Sequence, residues 1–366
     1  MSTHTEHLAY AYGGPVATGK IKAIPEDFFV DELLGFEPSG EGEHVFLHIE
    51  KRALTTLAVR DKIAALASCK SMDVGYSGLK DKWAVTRQWF SVYLPGGDQL
   101  DWQSLAEQAD SESSSGSYIK LLTVCRHSRK LRRGAHKANA FKLVVSSLSA
   151  GLSTGTDDLN EQLTLKIKAL CEQGVPNYFG EQRFGKSNLP KARALFSANK
   201  RMPREQRSLC LSAARSYLFN RVLDARIAAS NWSTYVDGDV LMLDGSRSRF
   251  VLDAESDSVA GSSEKMAAEI EQRLAQGDIH ISGPMCGRGS SGVTAAAEQL
   301  EDAAIADEIA LVEGLDRQGV DVARRPLRCF PKQFEWQLED EKCHLSFILP
   351  TGSYATVLIR ELVECL

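Results

Sequence analysis

The stretch Gly75-Tyr76-Ser77-Gly78-Leu79-Lys80-Asp81-Lys82 sets one carboxylate between two amines, in a turn-forming segment just ahead of a strand-like run at Gln88. A carboxylate there can be held at a strand's edge, facing a cleft. Lys80 and Lys82 favour its ionised form, and only a carboxylate is a competent nucleophile. The chemistry implied is covalent catalysis by Asp81. The same residues also suit a charged hairpin turn in water, and the segment alone does not separate the two.

Between residues 126 and 137 lie Arg126, Arg129, Lys130, Arg132, Arg133 and Lys137, with two histidines and no acid. The run leads into Asn139 and a strand at Phe141. It suits a phosphate-binding edge that gains from counterion release, followed by an amide able to read a base or a ribose. A solvated loop is the other reading.

Residues 176–185 pack Tyr178, Phe179, Phe184, Arg183 and two glycines into ten positions. They could supply a stacking surface, although Phe179 and Phe184 are better taken as core wedges. Arg183 is the residue of interest, because a guanidinium among packed aromatics needs an anionic or acceptor partner. In Pro25-Glu26-Asp27-Phe28-Phe29-Val30 the adjacent phenylalanines of a strand must point to opposite faces, one to the core and one to a cleft. Gly352-Ser353-Tyr354-Ala355-Thr356 places an aromatic at a helix N-terminus, with Ser353 as the expected N-cap. Gly283-Pro284-Met285-Cys286-Gly287-Arg288-Gly289 lacks the Gly-Lys-Ser/Thr ending of a P-loop and is taken as a flexible surface loop, with Arg288 near RNA. The histidines offer no metal triad and the cysteines no zinc spacing, so no metal site is expected.

The elements that must position these residues follow from pattern. Alternation of Val45, Leu47 and Ile49 predicts a strand with two different faces, and residues 55–67 a helix. Residues 88–94 and Phe141, Leu143 and Val145 mark further strands. Residues 111–117 are a serine-rich loop, and 146–156 the better candidate for a linker. A helix from Asp157 or Asp158 buries Leu159, Leu163, Ile167 and Leu170 and ends at Gly174. Residues 191–199 and 204–229 are helical, and 240–250 could form a hairpin at Asp244-Gly245. Strand 345–349, the turn 350–352 and a last helix return to the character of the first part. A β-rich domain built from both chain ends, interrupted by a helical insertion, is the expected architecture.

A length of 366 residues suits two packed cores, and 43% hydrophobic with 25% charged residues is ordinary globular composition. The net charge of −5 is unevenly spread. Residues 251–318 hold 14 Asp and Glu against four Lys and Arg, a solvated flank turned away from RNA. Eight scattered cysteines suit free thiols in a reducing compartment. The polar first 14 residues lack the apolar core of a signal peptide, and no apolar run could cross a bilayer, so a cytoplasmic location without membrane is expected.

Taken together, the segments resemble the tRNA pseudouridine(13) synthase family, TruD. The matching pieces run through Pro25-Glu26-Asp27-Phe28, residues 34–44, Gly78-Leu79-Lys80-Asp81-Lys82, Arg129-Lys130-Leu131-Arg132 and Asn139-Ala140-Phe141. They continue through Val175-Pro176-Asn177-Tyr178-Phe179-Gly180, Gln182-Arg183-Phe184-Gly185, Leu211-Ser212-Ala213-Ala214-Arg215 and residues 352–356. The resemblance covers nearly the whole chain. It implies an α+β pseudouridine synthase fold, a mixed and mainly antiparallel sheet with helices, interrupted by an inserted α-rich TRUD domain. Residues 1–155 and 329–366 would form the catalytic domain and 174–328 the insertion. It implies Asp81 as nucleophile and Phe28, Asn139 and Tyr354 around the uridine, with Lys80 and Arg183 also binding substrate. Arg126, Arg129, Lys130, Arg132, Arg133 and Lys137 would hold the RNA backbone. Tyr354 stands where the family commonly has Phe, adding a hydroxyl that needs a partner if buried, and Ala138 replaces a usual Gly.

The implied reaction isomerises a uridine in tRNA, at position 13 of the D arm, by breaking its glycosidic bond, turning the base and rejoining it through carbon. Attack on the sugar and attack on the base both remain open. No cofactor is expected, since the carboxylate can attack and later leave. The base must be flipped out, at a cost of a few kcal/mol. tRNA is the expected partner; no protein partner is required, and a monomer is expected. Two other classes fit parts of the pattern: an RNA-binding module without chemistry, and a small-molecule α/β enzyme using Asp81. Salt-sensitive tRNA binding excludes the second.

Overall fold

The computed structural model describes residues 7–96, 100–106, 116–150, 158–185, 187–198, 201–252 and 262–366. By internal packing the chain forms two compact units. One is Val16–Asn160, Pro331–Gly352 and Val363–Leu366; the other is Met1–Pro15, Glu161–Phe330 and Ser353–Leu362.

The first unit is a ten-stranded sheet. Its strands are β1 (Ala17–Ile21), β2 (Phe28–Leu33), β3 (His44–Arg52), β4 (Gly75–Tyr76), β5 (Val85–Tyr93), β6 (Tyr118–His127), β7 (Ala138–Ala150), β8 (Lys332–Glu339), β9 (Lys342–Pro350) and β10 (Val363–Cys365). The main order is β8-β9-β7-β2-β5-β3-β6, with β1 against β7 and β10, and β4 against β5. Pairing is antiparallel except for β2 with β5 and β1 with β10. Helix α1 (Thr56–Leu66) starts where the Thr55 hydroxyl accepts the Ala58 N–H. Its Val59 and Ile63 pack with Val45, Leu47, Ile49, Phe90 and Val92, and full burial contributes about 1.5–3 kcal/mol for each such side chain. The strand expected at Val45 is present, but Phe46 on its other side is also buried, with Leu34 and Leu131.

The alternation of β2 turns Phe28, Val30 and Glu32 to one buried face. On β7 the buried positions are Asn139, Phe141, Leu143, Val145 and Leu148. The two strands pair so that Phe28 is opposite Leu143, Val30 opposite Phe141, and Glu32 opposite Asn139. An apolar face thus ends in a buried polar pair. β7 also corrects the linker expectation. Residues 146–150 continue the strand and pair with β1, through an irregularity where Ser147 takes φ 50°; 151–157 lie outside the described residues. Serine side chains at 146–150 signalled a loop, but strand pairing overrides so weak a propensity. The serine-rich loop at 111–117 likewise lies mostly outside the described residues.

The second unit is α-rich. It holds α2 (Leu159–Gln173, entered from the other unit), α3 (Asn188–Ala198), α4 (Arg204–Ala228), α5 (Ser262–Gln276), α6 (Ala295–Ile305), α7 (Ile309–Arg317) and α8 (Ala355–Leu362). As expected, α2 buries Leu163, Ile167 and Leu170 and stops at Gly174, whose φ is 90°, but Leu159, at its first position, is only half-buried. Cys210, Ala214 and Leu218 of α4 pack with Leu189, Ala192, Leu195 and Phe196 of α3 and with Leu311 and Leu315 of α7.

Arg249–Val251, Val240–Leu243, Ile279–Met285 and Ala323–Pro326 make a four-stranded sheet, the first two being the expected hairpin. The loop expected at 283–289 is corrected here, since Gly283, Pro284 and Met285 belong to a buried strand. Pro284 is tolerated because one neighbour pairs with 279–281 and the other with 282–285, leaving its missing N–H without a second strand to serve. Arg288 pairs with Asp321 at 2.9 Å. The acidic stretch is not simply a solvated flank. Glu301 is buried against Arg324 at 2.6 Å, and Glu308 meets Arg193 at 2.7 Å. Ser353 is not an N-cap either: Tyr354 directly precedes α8, and the Ser353 hydroxyl lies 3.0 Å from Asn177 Oδ1. All eight cysteines are free. No described helix is long and apolar enough to cross a membrane.

Candidate active site

Asp81 lies in the segment between β4 and β5, which the buried residues beneath it fasten. Lys51 of β3 is fully buried, and its ammonium donates to the Leu54 carbonyl at 2.6 Å and the Asp81 carbonyl at 3.0 Å. Burial pulls its pKa down to about 8. The Thr56 hydroxyl accepts the Lys80 N–H at 2.9 Å and donates to Gln88 Oε1 at 2.8 Å, and Gln88 Nε2 donates to the Gly78 carbonyl at 3.2 Å. The backbone around Asp81 is therefore held by side chains from β3, α1 and β5.

The Asp81 carboxylate is partly exposed, at 29%, and its Oδ2 is 2.5 Å from Lys22 Nζ. That ammonium also lies 4.2 Å from the centroid of the Phe28 ring, a cation–π contact. The Lys22 carbonyl accepts the indole N–H of Trp83 at 3.0 Å, and Trp83 is half exposed. Lys22 thus ties Asp81, Phe28 and Trp83 into one cluster. The expected partner, Lys80, is directed elsewhere. Its Nζ donates to Asn139 Oδ1 at 2.5 Å and lies 2.9 Å from Glu32 Oε2, close enough for an ion pair although the angle falls outside hydrogen-bond geometry. Lys82 is exposed.

Glu32 is 1% exposed, and burial raises its pKa against the opposing pull of Lys80. Asn139 Nδ2 is 3.3 Å from His136 Nε2, and His136 Nδ1 is 2.5 Å from Ser77 Oγ. Burial, helped by Lys80, pushes the His136 pKa down to about 4. The structure therefore brings Asp81, Phe28, Lys80 and Asn139 together in one unit.

Tyr354 and Arg183 lie in the other unit and pair with each other. Arg183 Nε donates to the Tyr354 hydroxyl at 3.0 Å, which supplies the partner that hydroxyl required, and Nη1 donates to Ser212 Oγ at 3.1 Å. Arg325 stacks 4.1 Å from the Phe179 centroid and donates to Asn177 Oδ1 at 2.5 Å; burial lowers its pKa to about 10. Tyr178, Phe179 and Phe184 are buried core wedges, and none is open to a base.

The basic run divides. Arg126 donates to the Leu94 carbonyl at 2.9 Å, Lys130 to that of Met72 at 2.8 Å, and Arg133 lies over the Tyr76 ring at 3.7 Å while bonding its hydroxyl. Arg129, Arg132 and Lys137 are exposed, as are Lys130 and Arg133, and Arg126 is half-buried. Among the described residues, no group of three or more His, Cys, Asp or Glu side chains could hold a metal ion. Sequence reasoning missed Lys22, Lys51, Glu32, His136 and Trp83. Only Glu32 carried a signal, as an acid on the same alternating face as Phe28 and Val30.

The sequence model of the family described as tRNA pseudouridine synthase D (TruD) matches residues 5–193 and 187–362. A protein of Methylococcus capsulatus named tRNA pseudouridine synthase D is 44% identical over 363 residues, 98% of this chain and 95% of that protein. One of the same name from Aeromonas hydrophila is 40% identical over 361 residues, 98% and 94% of the two chains. The crystal structure of a Methanosarcina mazei protein described as a putative tRNA pseudouridine synthase D superposes with a TM-score of 0.65 at 19% identity, over 96% of this chain and 95% of that one. That likeness shows the shared fold, and the matches at higher identity show the kinship: this chain belongs to the tRNA pseudouridine synthase D family.

Proposed function

We propose that this chain isomerises uridine to pseudouridine in tRNA, at position 13 of the D arm, with Asp81 as nucleophile and the base flipped out of its stack. The observation that carries this reading is a partly exposed carboxylate, on a backbone anchored by buried side chains, with an ammonium 2.5 Å away. A nucleophile that must attack and then leave needs both a fixed position and a countercharge. The isomerisation balances without redox. The N1–C1′ bond breaks and C5–C1′ forms, while C5 loses a proton and N1 gains one. Asp81 serves equally as nucleophile toward C1′ or toward the base, and is released in either case.

Phe28, Asn139, Tyr354, Lys80 and Arg183 surround the uridine in this reading. Arg126, Arg129, Lys130, Arg132, Arg133 and Lys137 serve the RNA backbone, with the exposed Arg129, Arg132 and Lys137 best placed to do so. The unit with Asp81 is the catalytic part, and 174–328 is its insertion. Incubating wild type and Asp81→Asn with unmodified tRNA transcripts, then mapping pseudouridine by chemical labelling, tests this. Product from wild type alone, with tRNA binding intact in both proteins, is expected. Binding without product in wild type, across a full tRNA set, would leave an RNA-binding protein without chemistry.

A further inference from the structure

We propose that Lys80 and a neutral His136 lock the Asn139 amide so that it offers the substrate an N–H donor, making it a reader of a uracil carbonyl oxygen. The inference rests on the reading of Asn139 as a substrate-binding residue. It starts from an ambiguity: an asparagine amide turned by 180° exchanges a donor for an acceptor in nearly the same shape. Here the neighbours remove that ambiguity.

An ammonium only donates, so the atom 2.5 Å from Lys80 Nζ must be the Asn139 oxygen. The reverse orientation would set amide hydrogens against a positive charge. Lys80 is itself held between the two residues that β2 and β7 place opposite each other, Glu32 and Asn139. With Oδ1 so fixed, Nδ2 faces His136 Nε2 at 3.3 Å. That ring nitrogen must accept, which places the imidazole proton on Nδ1, where it is donated to Ser77 Oγ at 2.5 Å. The same hydroxyl oxygen accepts the His136 backbone N–H at 2.8 Å.

An imidazolium would set Nε2–H against Nδ2–H and break the lock. The charged groups facing the ring are Glu32 from β2, 4.0 Å from Nδ1, and Lys80 from the Asp81 segment. Burial keeps the ring neutral, with a pKa near 4. Thr351, beyond β9, donates its hydroxyl to the His136 carbonyl at 2.6 Å and fixes the backbone. Among the described residues the one hydrogen-bond partner of Nδ2 is His136 Nε2, and in the proposal the second hydrogen is the donor offered to the substrate. His136, Glu32 and Lys80 act through Asn139 as positioning residues.

The lock is tested on the full chain without RNA. Nitrogen-15 NMR of labelled histidine, with the His136 signal assigned by its loss in His136→Gln, should show a protonated Nδ1 and a bare Nε2 at neutral pH. A proton on Nε2 overturns the proposal. The donor role is read with tRNA whose target uridine carries sulfur, a weaker acceptor, in place of O2 or O4. Wild type should lose about tenfold in kcat/KM toward one of the two, mainly through KM, as expected for one hydrogen bond. Asn139→Ala should treat that substrate and its oxygen parent alike. If wild type turns over both sulfur substrates like their parent, the donor role is wrong. If wild type forms no pseudouridine in ordinary tRNA, the synthase reading fails instead, and the NMR result alone decides the lock.

Discussion

A carboxylate that attacks and is later released has to be held in place at both moments. Asp81 has its carbonyl tied to Lys51 and its side chain to Lys22. A charge-assisted hydrogen bond of this kind is worth roughly 1.5–3 kcal/mol, so Lys22→Met should lower kcat about 10- to 100-fold while tRNA binding changes little. Single-turnover kinetics would show it; a rate within twofold of wild type would mean that the contact plays no part. The sequence made Asp81 legible, because Gly78-Leu79-Lys80-Asp81-Lys82 is compact. It hid Lys22, which lies 59 positions earlier in a strand-ending segment with no local pattern. It set Lys80 and Lys82 beside Asp81 as its countercharges, but adjacency in sequence says nothing of direction: Lys22 meets the carboxylate, and Lys80 points to Glu32 and Asn139. His136 makes a second residue-scale prediction. Its pKa is depressed in the fold, to about 4, against about 6.5 in the unfolded chain. The stability it allows is therefore fully present above about pH 6.5 and is lost as pH falls toward 4, on the order of 3 kcal/mol in all. Glu32, raised by burial, acts in the opposite sense. Urea midpoints at pH 7 and pH 5 should fall further apart in wild type than in His136→Gln, where Glu32 is unchanged. Equal slopes in the two proteins would place the acid sensitivity elsewhere.

At the scale of elements, periodicity carried the expectation well where one face was buried. The helix at α1, with its Thr55 cap, and the buried stripe of α2 followed from pattern and end signals. It failed where tertiary pairing overrode composition. The serines of 146–150 sit in a strand because β1 pairs with that length of β7, beyond the reach of β9, which pairs with 138–145; Gly283-Pro284 sits in a strand because its neighbours divide the pairing. Gly314, inside α7, was invisible to pattern as anything but a weak helix residue. Its role is close approach: a Cβ there would stand 2.3 Å from the Phe196 ring of α3. Gly314→Ala should thus destabilise despite the better helix propensity of alanine. The overpacking cost of about 1–3 kcal/mol exceeds the gain of about 1 kcal/mol. A thermal melt showing a raised midpoint would mean that Phe196 gives way.

At the scale of the molecule, the chain passes between its two units five times, and the ends of each crossing decide which parts stand or fall together. Residues 7–14 precede β1 in sequence yet belong to the α-rich unit. The Ala9 N–H donates to Asp224 Oδ1 at 2.5 Å and the Ala11 N–H to Glu361 Oε2 at 3.1 Å. The Tyr12 hydroxyl donates to the Gly174 carbonyl at 2.6 Å, and Lys166 and Arg360 donate to carbonyls at 12 and 8. Glu361 is fully buried, its pKa raised by that burial, and the segment supplies part of what solvates it. Deleting residues 1–14 takes the Ala11 N–H from that carboxyl while Arg360 remains beside it, and a buried acceptor left without its donor costs about 1–3 kcal/mol. Hydrogen exchange on the deletion variant should therefore show lost protection in α2, α4 and α8, far along the sequence, while β3 and β5 keep theirs. Loss confined to β1 and its neighbours would mean that sequence proximity governs. A uniform loss would mean that the two units unfold as one.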